Sequence, residues 1–391
     1  MGQYDEAVTD AKQAISLNQQ AAIGHVQLGT AYWHRKQFGE AEKELKLAID
    51  LEPKNPEAYV LARYYLETSQ YPESLQLWNR IAGIVPANSP FQSIALQGLM
   101  VCNYALGKYD DAIADADRFI DQVTRQQATP AKASFGYVTK SLAYREKADG
   151  KQADEYARKA MELNPADGDC QLAAGVVALD KEQFADAIKI LSPHPTNNII
   201  LATAYAKHGK FDYAAKLYLD YCDDAKLQKA VPGLKARQAF LAAMRPYTQK
   251  LIESAKQLEA SQQPEAALAD MAKAAAIAED ANVEDLRSKM FQLAQRTQPK
   301  ESEEAYRYAK RGDILLGEGN LVGAVDEYNK ALRLAPYSPR FYFNAALIHG
   351  SLKNYTKAIQ HMKTYVQLAP NAPNIQAAKD ALIEWDLKLE K

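Results

Sequence analysis

The sequence predicts an all-α fold of stacked antiparallel helix pairs with no β-sheet, and three observations carry that prediction. One pattern recurs: YDEAVTDAKQAISLN from Tyr4, FGEAEKELKLAIDLEP from Phe38 and LVGAVDEYNKALRLAP from Leu321. Each stretch opens on an aromatic or apolar residue, places Ala three residues on, and sets further apolar residues four and seven beyond it, the spacing of one helix face. The small anchor residue returns at Ala7, Ala41, Ser74, Ala112, Ala153, Ala187, Ala214, Ala267, Ala324 and Ala358. Successive steps are 34, 33, 38, 41, 34, 27, 53, 57 and 34 residues, a period near 34 at both ends of the chain and blurred between. No stretch alternates polar and apolar residues for long enough to read as a strand.

The chain has 391 residues, 47% hydrophobic, 25% charged and 9% aromatic. That composition excludes a disordered, collagen-like or disulfide-stapled chain. Lys and Arg number 47 against 49 Asp and Glu, without the basic excess that a duplex-binding surface needs. Cys102, Cys170 and Cys222 form no C-x-x-C pair and no disulfide framework. No apolar run reaches the roughly 18 residues of a membrane span. The opening MGQYDEAVTD has neither the basic start nor the apolar stretch of a signal peptide.

In chain order, residues 3–17 match the half-unit that carries Ala7, with no partner helix before them. The expectation is a fragment preceded by further repeats, an anchor or another domain, so that the compartment, cytoplasmic or periplasmic, stays open. Three regular units follow over 21–122, and the segments Leu28-Gly29-x-x-Tyr32 and Leu61-Ala62-x-x-Tyr65 mark their first helices. Residues 122–134 read as an irregular stretch that lengthens the spacing. Units return around Ala153, Ala187 and Ala214, with Ala174-Gly175 as a first-helix signal and Pro193 and Pro195 cutting the helix of Ile188 short. Residues 229–300 are degenerate, with helices expected at about 234–245 and 283–296 and with Pro232 and Pro246 as breaks or kinks. Two regular units occupy 305–371. A charged last helix from about 373 to 389 carries an apolar stripe of Ala381, Leu382, Trp385 and Leu389 and reads as a solvating cap. The expected divisions are therefore 1–228, 229–300 and 301–391.

Each unit needs small residues where its two helices approach, as at Gly29 and Ala41 or Gly175 and Ala187, because a larger side chain would overpack the contact. Tyr32 and its equivalents fill the space between units. Pro53, Pro86, Pro165, Pro336 and Pro370 end second helices, since proline cannot continue the hydrogen-bond ladder. A single pair cannot bury its apolar face, so the pairs stack. This pattern resembles the tetratricopeptide repeat family, and its general likeness is to bacterial-type multi-repeat solenoids; it covers nearly the whole chain in about nine and a half units. The resemblance implies a right-handed superhelical α-solenoid that binds proteins and is not itself an enzyme.

Motifs that carry chemistry are missing. There is no G-x-x-x-x-G-K-[ST], no H-E-x-x-H and no G-x-S-x-G. The glycines at 317, 319 and 323 lie in a turn between two helices, not after a strand. His25, His34, His194, His208, His349 and His361 are scattered, none three or four residues from another histidine or a cysteine. Asp110-Asp111 and Asp223-Asp224 read as helix-start or solvated charges. Neither a metal nor a cofactor is expected.

In the family resembled, residues three before, one after and four after the small residue of the L-G-x-x-Y segment line a concave groove. Carried onto this chain, they are Val26, Thr30 and Trp33; Tyr59, Arg63 and Leu66; Gln97, Val101 and Tyr104; Val138, Leu142 and Arg145; and Leu172, Val176 and Leu179. Aromatic and arginine side chains are common interface anchors, so the groove is expected to take an extended or helical segment with apolar anchors and a carboxylate. The competing expectation is that these side chains pack on neighbouring repeats. Some relatives clamp a chaperone's C-terminal carboxylate, but Ala309 and Asp313 stand where that design wants Lys and Asn, Asn344 alone matches, and Asp313 would repel the carboxylate.

The expected function is a non-enzymatic scaffold or adaptor for another protein; the alternatives are a regulatory or substrate-recruiting arm of an enzyme whose catalytic part precedes residue 1, and an RNA binder, which the balanced charge disfavours. A homo-oligomer is compatible with the first. Removal of residues 373–391 is expected to expose the last repeat and lower solubility, as measured by the soluble fraction after expression and by light scattering; an equally soluble truncation would show that this helix caps nothing.

Overall fold

The computed structural model describes every residue except 1, 36, 53–58, 88, 194–197, 222–232, 279, 298 and 390–391. Among the described residues there are 21 α-helices and no strand. The first nine are α1 (Gly2–Leu17), α2 (Ala22–His34), α3 (Phe38–Leu51), α4 (Tyr59–Glu67), α5 (Tyr71–Ile84), α6 (Pro90–Ala105), α7 (Tyr109–Arg125), α8 (Pro130–Glu146) and α9 (Gly150–Leu163). They are followed by α10 (Gly168–Asp180), α11 (Phe184–Leu191), α12 (Asn198–Lys207), α13 (Phe211–Tyr221), α14 (Gly233–Ala260), α15 (Pro264–Ile277) and α16 (Asp280–Thr297). The last five are α17 (Glu303–Gly317), α18 (Leu321–Leu334), α19 (Pro339–Ser351), α20 (Tyr355–Leu368) and α21 (Ile375–Leu389).

The chain divides into two compact units, Met1–Gly209 with Asp220–Arg237, and Lys210–Leu219 with Gln238–Lys391. In the first, α2 pairs with α3, α4 with α5, α6 with α7, α8 with α9 and α10 with α11. The first helices of these pairs lie side by side in order, α2 against α4 and onward to α12. In the second unit α17 pairs with α18 and α19 with α20, and α21 packs on α20.

Small residues set the pairing. Ala41, Ala112, Ala187, Ala214, Ala324 and Ala358 are fully buried, and Ala153 nearly so. A Cβ placed on Gly29 would sit 2.7 Å from Leu45 and 3.1 Å from the Ala41 carbonyl oxygen; on Gly175 it would meet Leu191 at 2.4 Å. Where serine replaces the small residue, its hydroxyl bonds the facing backbone: Ser74 Oγ donates to the Ala62 carbonyl at 2.7 Å and Ser141 Oγ to the Ala153 carbonyl at 2.8 Å. The anchor at Ala7 differs, because its side is exposed and α1 instead buries Val8 and Ala11.

The turn inside each pair is equally uniform. At every anchor from Ser74 to Ala358 the residue five before it has positive φ: Ser69, Gly107, Ala148, Glu182, Gly209, Gln262, Gly319 and Lys353. The following N–H reaches back five residues, as Lys108 to Asn103 at 2.8 Å and Asn354 to His349 at 2.9 Å, which closes the first helix in a Schellman turn. The residue whose N–H closes one helix then offers its carbonyl to the anchor N–H, as Lys108 does to Ala112. Pro86, Pro165, Pro336 and Pro370 each lie two residues past their helix, and the residue before each proline has left the helical conformation. Pro53 and Pro195 lie outside the described residues, as do Pro232, Cys222, His194 and the division expected at 228–229.

Three expectations are corrected. The stretch 122–134 is mostly helical: α7 runs to Arg125 and α8 starts at Pro130, so the wider spacing is taken up by two 17-residue helices. The helix expected at 234–245 continues through Pro246 to Ala260. Met244 and Thr248 on either side of this proline are buried, so packing outweighs the lost backbone hydrogen bond. The cap helix α21 buries Trp385 and Ala378 and half-buries Ala381 and Leu382, but Leu389 is exposed. Every described side chain after Trp385 is exposed, so the last turn extends past the surface that the helix covers.

Two outcomes test this geometry by urea denaturation. Ala187→Leu forces a branched side chain into the α10–α11 approach and is expected to cost about 1–3 kcal/mol. Lys353→Gly relieves a left-handed backbone worth about 1–2 kcal/mol and gives back about 0.5–1 in chain entropy, a net gain of up to about 1 kcal/mol.

Candidate partner-binding face

The expected groove positions fall on the first helices, and side-chain contacts join some of them to the first helix of the next pair. The Arg63 guanidinium of α4 lies over the Trp33 ring of α2, 5.7 Å from its centroid, and Tyr59 meets Phe91 of α6 at 5.8 Å. Arg145 of α8 donates to Asp180 of α10 from Nε at 2.5 Å and from Nη2 at 3.1 Å.

Burial varies along this face. Arg63 and Gln97 are exposed, and Thr30, Trp33, Tyr59, Leu66, Val101 and Tyr104 are half-buried. Val26 is buried at the start. On α8 Val138 is buried while Leu142 and Arg145 are half-buried. On α10 Leu172 is half-buried, and Val176 and Leu179 are buried; on α12 Thr203 and Ala206, one and four after the small residue Ala202, are buried as well. The face is therefore open over α2–α6 and packed over α10–α12.

Its charges differ in the same direction. The Arg145 guanidinium also donates to Glu146 at 3.0 Å, and Glu146 receives Lys235 at 3.1 Å, so this arginine is neutralised by two acids. Burial, and then the Glu146 charge, pushes the neighbouring Tyr104 phenol far above its ordinary range, so it stays a neutral donor. Among the described residues Arg63 pairs with Glu67 at 3.8 Å, and both are about half exposed, a pairing worth little in water. Of the two arginines expected on the face, only Arg63 offers its charge.

In the C-terminal unit, Asp313 and Asn344 are held by Tyr328. The Tyr328 hydroxyl donates to Asp313, and Asn344 Nδ2 donates to the Tyr328 oxygen at 2.6 Å. Burial first and the Asp313 hydrogen bond second hold this phenol up at about 12. The two residues thus bind the hairpin together, and Asn344 is engaged inside the protein. Elsewhere, two shallow depressions of about 550 Å³ each lie along α9–α11 and share Asp154, Arg158, Val177 and Lys181; of the face residues only Arg145 touches one. Burial pushes the Cys102 and Cys170 thiols up to about 11, which leaves them poor nucleophiles. Among the described residues, no group of three His, Cys, Asp or Glu is placed to hold a metal ion, and no helix is long and apolar enough to cross a membrane.

One class of contact went unread in the sequence: residues twelve apart that meet across the hairpin. Asn103 Nδ2 donates to Asp115 at 2.9 Å, Tyr144 stacks on Tyr156 at 5.5 Å and His349 on His361 at 5.4 Å. All three pairs occupy the same register, three residues after the crossing position of the first helix (Met100, Ser141 and Ala346) and three after the anchor of the second. Twelve is also the separation between those two positions, so the anchors themselves held the missing signal.

Repeated helix pairs with small-residue crossings define an α-helical repeat protein of the interaction-module class. Profiles of the tetratricopeptide repeat match residues 1–56, 309–373 and 136–167. Over these residues the chain carries tetratricopeptide repeats. The photosystem I assembly protein Ycf3 of Cyanophora paradoxa is 35% identical over 77 residues, 19% of this chain and 44% of that protein. The chain thus spans under half the length of this curated relative. Among solved structures, PilF of Pseudomonas aeruginosa has 15% identity and a TM-score of 0.40 over 54% of this chain and 96% of its own. A tetratricopeptide repeat protein of Parabacteroides merdae has 14% identity and a TM-score of 0.37 over 70% and 98%.

Tyr328→Phe is expected to lose about 1–2 kcal/mol, because it removes the donor to Asp313 and the acceptor for Asn344 in a partly buried network. A thermal melt of the variant checks this; an unchanged midpoint would show that water replaces both bonds.

Proposed function

We propose that the chain is a non-enzymatic scaffold that binds a segment of another protein on the open part of the first-helix face, over α2, α4 and α6. One observation carries the reading: this part keeps the half-buried aromatic rings of Trp33 and Tyr59 and the exposed Arg63 beside the exposed Gln97, while Val176 and Leu179 further along are buried. Trp, Tyr and Arg are the side chains most often found as binding anchors. Arg63 supplies a positive charge paired only loosely with the exposed Glu67, so the segment that suits the face has apolar anchors and a carboxylate. The curated relative is named for an assembly role, which supports this class of function.

Photo-crosslinking amino acids at positions 63 and 97 test the proposal in cells, with position 43 on α3 as the control. Adducts to the same protein at 63 and 97, absent at 43, are expected, and Arg63→Glu should weaken binding of the captured partner about tenfold or more. Equal labelling at all three positions, or none at 63 and 97, would overturn it.

A further inference from the structure

His349 and His361 occupy the hairpin position that elsewhere holds the hydrogen-bonded Asn103–Asp115 pair and the stacked Tyr144–Tyr156 pair. Here two imidazoles lie face to face, centroids 5.4 Å and planes 10° apart. His349 is 4% exposed, and neither of its ring nitrogens has a hydrogen-bond partner. Tyr342 packs against His361 at 5.7 Å.

Among the described residues, the charges that act on the two rings are of one sign. Lys357 of α20 acts on both rings, and Arg287 of α16 acts on His361 and Tyr342. On α19 itself the titratable neighbour is Tyr342, whose phenol burial holds neutral, up at about 12. From α21 the indole of Trp385 seats on Gly350, next to His349, where an added Cβ would lie 2.6 Å from the ring. The charged pair at the end of that helix, Lys388 and Glu384, is closed on itself at 2.5 Å, with Lys388 over the Tyr355 ring. Among the described residues no acid pairs with either imidazole, in contrast to His25, whose Nδ1 lies 2.7 Å from Glu44.

We propose that this pair is a pH-operated latch on the C-terminal repeat: protonation of the stacked imidazoles loosens α19 and α20 and frees α21 from its seat on α19. A proton on either ring would put a cation against its stacked partner, within reach of Lys357 and Arg287 and, among the described residues, with no carboxylate paired to share the charge. Burial foremost, then the neighbouring His349, Lys357 and Arg287, hold His361 down at about 4, and burial also lowers His349. Folded values below the ordinary 6.5 mean that the unfolded hairpin binds protons more readily. The stabilisation is complete above about pH 6.5 and is lost as pH falls toward 4, with the folding equilibrium shifting up to tenfold per pH unit for each imidazole kept neutral.

Hydrogen exchange at about pH 7.5 and about pH 5, corrected for intrinsic rates, reads the latch segment by segment. In the unaltered chain, residues 339–389 are expected to lose protection at the lower pH by tenfold or more relative to α2–α11. The double variant His349→Phe, His361→Phe keeps two stacked rings and removes both titrations, so it should hold its protection. Equal losses in both proteins, or no loss in the unaltered chain, would overturn the proposal. An NMR titration of the imidazole carbons decides independently of whether the variant folds: both rings titrating well below 6.5 supports the latch, and either titrating at 6.5 or above overturns it.

Discussion

Where the two helices of a pair cross, the available space is less than a methyl group at Gly29 and Gly175 and only a methyl group at Ala41, Ala187 and Ala324. That tight crossing fixes the angle and phase of each pair. The left-handed residue five before the anchor places the second helix in that phase, and the chain accepts Ser69, Ala148, Glu182, Gln262 and Lys353 there despite the cost of a side chain at positive φ. With phase set, residues twelve apart must meet, and the outward side of the first helix must face its counterpart in the next pair. The hairpin contacts and the shared first-helix face are both consequences of one short distance.

The repeat was legible because its determinants are local. Anchor spacing, the L-G-x-x-Y segment and the prolines two residues past several second helices can all be counted along the chain, and each has a steric cause. Pro246 misled because its penalty of about 3 kcal/mol is outweighed by the burial of Met244 and Thr248, which no local rule reports. The stretch 122–134 misled because Gln and Thr look irregular, while Thr129 followed by Pro130 is a sound helix start. The register of the face was legible, but its accessibility was not. Trp33 and Leu179 hold the same position in their repeats, yet one is half-open and the other buried.

Charge placement separates positions that look alike in sequence. Arg63 and Arg145 both lie on the first-helix face; Arg145 is closed by Asp180 and Glu146, and Arg63 is left to its loose contact with Glu67. Asp115 and His361 share a hairpin position too; the aspartate is met by the Asn103 amide and the Arg118 guanidinium, and the imidazole by a second imidazole. A repeat keeps its small-residue crossing constant and varies the polar residues around it, so individuality lies one helical turn from the crossing.

The reach of these contacts along the chain bears on how the protein is made. The hydroxyl, amide and imidazole pairs that hold each hairpin join residues only twelve apart, and most of the bridges between neighbouring pairs, such as Arg145 to Asp180, span about one repeat. Closing such short loops costs little entropy, so contact order is low and each hairpin can form as soon as its own residues are available, during synthesis and ahead of the rest. The same locality means that a terminal pair can open without melting its distant neighbours, which gives the array graded, segmental cooperativity in place of a single all-or-none transition.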